Sequence, residues 1–344
     1  MKRTSWRRLL DDLVEIRPAP NMHRIALRAT LGVLAPLLVL WSLDRLDLSV
    51  YVTFGAFTAV YGGPWRTPHR WRIHLYHGAV LSAATISGAL IALSPARAWL
   101  GIPLTAVWAS LAAALSDRQR WRPPGPVLPV FAVSTCSAIP TTPARLAEAV
   151  VFVLLTAALA VALGVAEVWL HRRSRPHEEP GPPLVPPRPE RQRVQLIRCG
   201  VVVALAGVVA TASGIGHPYW AMAASVVPLT VFTFRGQVVR GVHRAVGTLI
   251  GIGFAAVLLL VPLPSLAVLF VIAALLACTE MMVVRHYGLA LVFITPLSLM
   301  SVHLANPEPI PLLLQERLVE TLIGVSIGLA AAIITRDRTP AVAH

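Results

Sequence analysis

Twelve apolar segments run the length of the chain, at about residues 25–42, 50–63, 76–94, 99–116, 126–139, 147–170, 195–213, 219–234, 245–262, 265–281, 287–302 and 316–335. Nothing else in the sequence narrows the fold as much. A backbone placed in hydrocarbon has no water to bond, so each segment must satisfy its own N–H and C=O groups, and a helix does this internally. About 20 apolar residues suffice to cross a core roughly 30 Å thick. The chain is 56% hydrophobic and 13% charged, with a mean hydropathy of +0.69, where soluble domains carry about 25% charged residues. The expected fold class is an all-α integral membrane protein with about twelve transmembrane helices.

A net charge of +14 resembles a nucleic-acid signal until the charges are placed. With the N-terminus inside, 24 lysines and arginines fall on that side and 4 on the other, while Arg28 and Arg198 lie just within segments. That asymmetry is the positive-inside pattern, which puts both termini in the cytoplasm and the chain in a cell (inner or plasma) membrane. The expected partner is therefore the lipid bilayer, with no nucleic acid. The opening "MKRTSWRRLLDDLVEIRPAPNMHR" is basic and amphipathic and has no small-residue cleavage site after a hydrophobic core, so it reads as a retained segment and not a removable signal. Cys136, Cys199 and Cys278 lie far apart in apolar runs, without CxxC or Cys/His spacing. They read as reduced filler, and neither metal nor cofactor is expected.

The stretch "HRRSRPHEEPGPPLVPPRPERQR" is rich in Pro, Arg and Glu and has no apolar period, as a solvated, semi-stiff linker does. It divides the chain into a basic N-terminal segment (1–24), a first six-helix unit (25–170), the linker (171–194), a second six-helix unit (195–335) and a tail (336–344). The two units echo one another. Arg28 answers Arg198, Tyr51 answers Tyr219, Asp117 answers Glu280, and Arg145 with Glu148 answers Arg317 with Glu320. Six spans per unit make both units enter from one side, so the expected architecture is a pair of parallel repeats. The second and fifth segments of each unit are short, and Pro129, Pro228 and Pro296 fall within three of them. Helices interrupted at matching places in two repeats point to a buried pathway, because freed backbone survives only inside protein or beside water. Thr53, Thr58, Ser134, Thr135, Ser225, Thr230, Thr295 and Ser298 lie on these segments. Their hydroxyls either face a solute or bond their own helix backbone.

In the second unit, "HPYWAMAASVVPL", "RGQVVRGVHRAVGTLIGIGFA", "EMMVVRHYGLALVFITPLSLM" and "RLVETLIGVSIGLA" follow one another over about 120 residues. In these motifs the chain resembles the fusaric acid resistance (FUSC, or aromatic acid exporter) family; the first unit carries a degraded version, and the large soluble domains of some members are missing. The resemblance implies an inner-membrane protein exporting aromatic or related organic acids. More distantly the chain is similar to the aluminium-activated malate transporters, whose six-helix subunits pair around an arginine-lined anion pathway. One twelve-helix chain would stand in for such a pair.

The family's glutamate–arginine–tyrosine stretch falls on Glu280, Arg285 and Tyr287. With Arg122, Asp117, Tyr219 and Thr295 these form the candidate substrate pathway. Arg122 and Arg285 would grip a carboxylate with planar two-donor forks, and Asp117 and Glu280 would hold those arginines or carry a coupling proton. The alternative is that these charges snorkel to the membrane interface. Arg66, Arg70, Arg72, Arg235, Arg240 and Arg244 lie in two basic turns that read as a cytoplasmic funnel for anions or as plain water-facing loops. Arg145, Glu148, Arg317 and Glu320 are outer-gate candidates or ordinary helix-end pairs. The small-residue face Gly247, Gly251, Ala255 reads as a close helix contact. No GxxxxGK[ST], GxSxG or HExxH occurs, so an ATPase or hydrolase is not expected. The expected function is export of a small organic anion, an aromatic carboxylate above all, with proton coupling as a hypothesis. A passive anion channel and an envelope scaffold are the rivals, and a homo-oligomer is compatible with each.

Overall fold

The computed structural model describes residues 9–62, 70–170 and 189–336. Arg66, the linker over 171–188, residues 1–8 and residues 337–344 lie outside that range. Among the described residues there is no β-strand. A helix stands at each predicted segment: α1 (Met22–Ser42), α2 (Ser49–Ala56), α3 (Arg70–Ile91), α4 (Arg97–Gln119), α5 (Val127–Ala138), α6 (Pro143–Leu170), α7 (Pro189–Ala212), α8 (Tyr219–Val226), α9 (Phe234–Leu260), α10 (Ser265–Met282), α11 (Tyr287–Ala305) and α12 (Ile310–Ile334). Eight of them, α1, α4, α6, α7 and α9 to α12, are long and apolar enough to cross a membrane. Large apolar side chains face outward along these helices, among them Leu154, Leu155, Ile250, Val257 and Ile334. Such a surface suits lipid and would aggregate in water. The chain is an all-α, multi-pass membrane protein.

Two expectations about segment limits change. The basic turn before residue 245 is not a loop. Thr233 accepts a hydrogen bond from Gly236 N at 3.2 Å, and α9 starts there. A buried stripe then runs Gln237, Gly241, Arg244, Thr248, Gly251, Ala255, the three-to-four-residue step of one helix face. Likewise α3 starts at Arg70. The fifth segment of the second half is not short either: α11 continues through Pro296 for 19 residues. Pro296 is buried, and α11 packs closely on α9 and α10. Neighbouring helices thus cover the turn that proline weakens. The other three short segments stay short. α2 ends in a 3-10 turn at Phe57–Val60, α8 ends in one at Pro228–Thr230, and α5 has 12 residues.

The halves on either side of the linker interlock. α10 of the second half packs along α1 of the first, and α4 of the first packs along α7 of the second. α5 meets α8, and α2 meets α11. Within each half, α3 packs on α5 and α6, as α9 packs on α11 and α12. Neither of the two largest hydrophobic clusters belongs to one half. One joins Val33, Leu37 and Phe54 to Leu269, Ile272 and Leu276; the other joins Ala109 and Val130 to Val203, Trp220 and Met222. The small-residue face of α9 is a helix contact. A Cβ on Gly247 would stand 2.5 Å from Gly288 O, and one on Gly251 would stand 2.7 Å from the Thr295 Cβ.

Candidate functional site

A cavity of about 60 Å³ lies where the halves meet. α1, α2 and α5 supply one wall and α8, α10 and α11 the other. Its polar lining is Ser49, Thr53, Thr135, Tyr219, Ser298 and Ser301, set among Phe54, Phe57 and Phe131. Thr53, Ser298 and Ser301 bond carbonyls of their own helices, at 2.7 Å to Ser49 O, 3.0 Å to Thr295 O and 2.7 Å to Leu297 O. The Ser49 and Thr135 hydroxyls have no partner among the described residues, although both residues are buried. A mostly apolar pocket with a few convergent hydroxyls is the usual form of a site for a small organic molecule.

The broken helices α2 and α8 each end in free carbonyls, and buried side chains satisfy them. Arg28 Nε on α1 donates to Ala59 O at 2.8 Å and its Nη2 to Tyr61 O at 3.4 Å. His74 Nε2 on α3 lies 3.1 Å from the same Tyr61 O. In the second half, Gln195 Nε2 on α7 donates to Leu229 O at 2.6 Å, and Gln237 Nε2 on α9 donates to Val231 O at 3.0 Å. Arg28 also pairs with Glu167 on α6, whose Oε2 accepts from Arg70 Nη1 at 3.1 Å. Sequence reading passed over His74, Glu167, Gln195 and Gln237. A polar residue within an apolar run was the available signal, and for Glu167 it was an acid in the last turn of a strongly apolar helix.

The predicted pathway residues do not gather at the cavity. Tyr219 lines it, and so do Thr53, Thr135 and Ser298. Thr295 is buried at the α9–α11 contact and bonds Leu291 O at 2.8 Å. Ser134, Ser225 and Thr230 also bond nearby helix carbonyls, and Thr58 is buried without a partner among the described residues. Arg122 is exposed after α4. Arg285 Nη2 donates to Ala19 O at 3.2 Å, holding the N-terminal segment, whose Leu13 carbonyl also lies within hydrogen-bonding distance of His243 and His286. Asp117 and Glu280 occupy matching places. Glu280 is buried on α10, which packs along α1, and Asp117 is half-buried on α4, which packs along α7. The Tyr287 ring carries Arg240 at 4.4 Å. Of the expected funnel, Arg72 is exposed, Arg70 and Arg244 are buried, and Arg235 pairs with Asp12 at 2.5 Å.

The gate candidates divide. Arg145 bonds Asp47 at 3.0 Å, and Arg45 reaches both Asp47, at 3.2 Å, and Glu148. This network is partly exposed, and its two carboxylates, Glu148 first, hold the Arg45 guanidinium above its ordinary range. Arg317 and Glu320 are buried instead, with Arg317 4.8 Å over the Trp220 ring and Glu320 Oε1 accepting from His217 N at 2.9 Å. Nearby, His217 stands between two carboxylates, 2.5 Å from Glu316 and 3.4 Å from Glu308. This is a metal-like grouping whose ligand atoms all lie within 4.8 Å of one another. Both imidazole nitrogens already face carboxylates, so the group reads as a side-chain cluster closed on itself.

Residues 204–331 match the family described as fusaric acid resistance protein-like. The chain is also 30% identical over 148 residues to "Uncharacterized membrane protein YvaC" of Bacillus subtilis (strain 168), a match spanning 41% of this chain and 22% of that one. The chain thus spans about a fifth of the length of that relative. No solved structure matches it. This multi-pass membrane protein is thus similar to that family over part of its second half.

Proposed function

We propose that the chain exports small organic anions, aromatic carboxylic acids above all, through a path between its two halves. In this reading all twelve helices form two parallel six-helix repeats in the cell membrane, with both termini in the cytoplasm. The observation that carries it is the cavity between the halves, walled by phenylalanine rings and hydroxyls beside the interrupted helices α2 and α8. The matched packing partners and the matched side-chain bonds at the ends of α2 and α8 support the repeat. The family match over residues 204–331 supports transport as the activity. Glu280 and Asp117, set against α1 and α7, are the candidates for a coupled proton.

The test is flux. Purified protein in liposomes is loaded with radiolabelled 4-hydroxybenzoate, and efflux is followed with and without a pH gradient. Efflux above that of protein-free vesicles, reduced by Ser298→Leu, supports the path. Equal efflux from both kinds of vesicle overturns it. Equal rates with and without the gradient remove the proton coupling and leave passive flux.

A further inference from the structure

The cluster around His217 is closed tightly on one side of the ring and loosely on the other. Nδ1 lies 2.5 Å from Glu316 Oε2, and Nε2 lies 3.4 Å from Glu308 Oε2. An ionised carboxylate only accepts, so the short contact needs a proton on Nδ1. In the neutral ring Nε2 then carries a lone pair that faces the Glu308 oxygen. Two lone pairs repel unless a positive species lies between them. A second proton is one such species, but it fits poorly, because a charge-assisted N–H···O bond closes to about 2.7–2.9 Å. A zinc-class cation fits well: bonds of roughly 2.0–2.1 Å at a tetrahedral angle set neighbouring ligand atoms about 3.3–3.4 Å apart.

The surroundings hold each group in place. Asn306 Nδ2 donates to Glu308 Oε1 at 3.0 Å, which leaves Oε2 for the ring. Gly216 N donates to Glu316 Oε1 at 3.1 Å, which leaves Oε2 for Nδ1. Trp220 stacks on the imidazole at 4.6 Å and 20° and fixes its plane. A histidine whose second nitrogen donates to a carboxylate is the usual form of a metal-binding histidine. One turn along α12 from Glu316, Glu320 is 0% exposed; its Oε1 accepts from His217 N at 2.9 Å, and its Oε2 has no partner among the described residues. Three carboxylates thus adjoin His217, with Arg317 4.8 Å over Trp220 beside them. The acids at the matching end of the first half, Asp47 and Glu148, face the guanidiniums of Arg45 and Arg145 instead.

We propose that His217 and Glu308 bind a divalent cation of the zinc class where α8 and α12 begin, with Glu316 orienting the ring. An imidazole ligand selects such an ion over magnesium or calcium, which prefer oxygen throughout. The Glu308 side chain is 25% exposed, so the ion enters from solvent and water completes its coordination. Bound there, it ties the loop before α12 to the start of α8, two residues from Tyr219 in the cavity wall. The site does not depend on the transport reading.

The experiment is thermal unfolding of the purified full-length protein in detergent across a zinc chloride series at neutral pH, after chelator treatment and without a histidine tag. The wild type gains a saturable rise in Tm, which magnesium chloride at the same concentrations does not give. In Glu308→Gln, His217→Ala and Glu316→Gln the half-saturating zinc concentration rises roughly tenfold to a hundredfold or more. Should His217→Ala fail to fold, Glu308→Gln, in a partly exposed loop, gives the same reading. His23→Gln, at an exposed histidine, leaves the half-saturating concentration in place. No rise with zinc, a rise without saturation, or an equal rise with magnesium overturns the site. So does a half-saturating concentration unchanged in Glu308→Gln. A Tm that answers to pH and not to zinc also overturns it, and assigns the second proton to Nε2.

Discussion

Glu167→Gln tests whether buried charge, and not helix packing alone, holds the end of α2. Glu167 is the acid shared by Arg28 and Arg70, with side chains 17%, 3% and 2% exposed. At 3.1 Å the Arg70 contact alone is worth roughly 5 kcal/mol of attraction at an effective dielectric of about 20. Desolvation offsets much of that while the pair is intact. Once the carboxylate is neutral, two guanidiniums remain buried against each other, and the expected loss is about 3–5 kcal/mol. Arg28→Met should cost less. It leaves Glu167 paired with Arg70, and Tyr61 O keeps His74 at 3.1 Å. What it orphans is Ala59 O, for about 1–3 kcal/mol. The double variant should cost less than the sum, because the two residues share one network. Thermal unfolding of the detergent-solubilised protein reads the order directly. If Arg28→Met lowers Tm more than Glu167→Gln, or if neither moves it, the charge cluster does not anchor the broken helix.

Gly247→Ala should destabilise by about 1–3 kcal/mol, because its Cβ meets the Gly288 carbonyl at 2.5 Å; Gly253→Ala, with nothing within 4 Å, is the neutral control in the same unfolding assay. Ser298→Leu places an apolar side chain in the cavity and should abolish flux in liposomes while lowering Tm little; normal flux would remove the cavity from the path. Arg285→Ala should release the N-terminal segment, since Arg285 holds Ala19 O, and limited proteolysis should then cut within residues 9–20 sooner than in wild type.

The helices were legible because hydrophobicity in a membrane protein is written over whole segments. The charged side chains were harder to place. Arg244 lay in a run of three arginines and one histidine over residues 235–244, so a basic loop and a helix start looked alike; the buried step Gln237, Gly241, Arg244, Thr248 decides between them only when read as a helix face. Arg285 was read as a pathway arginine and not as the clasp of the N-terminal segment, because its partner is a backbone carbonyl at Ala19, and carbonyls carry no sequence signature. Arg317 with Glu320 and Arg145 with Glu148 share one spacing. The first pair is covered by Trp220 and His217, the second by the partly exposed loop at Asp47, so burial there is set by the preceding loops and not by the motif.

The phenylalanine rings of the cavity, Phe54, Phe57 and Phe131, all come from the first half, while the second contributes Tyr219, Ser298 and Ser301. Two identical subunits would present the same lining twice and leave a guest free to turn end for end. In this chain the two walls differ. A flat molecule with a ring at one end and a charge at the other would meet them in a single preferred pose, with its handedness set by which half it faces.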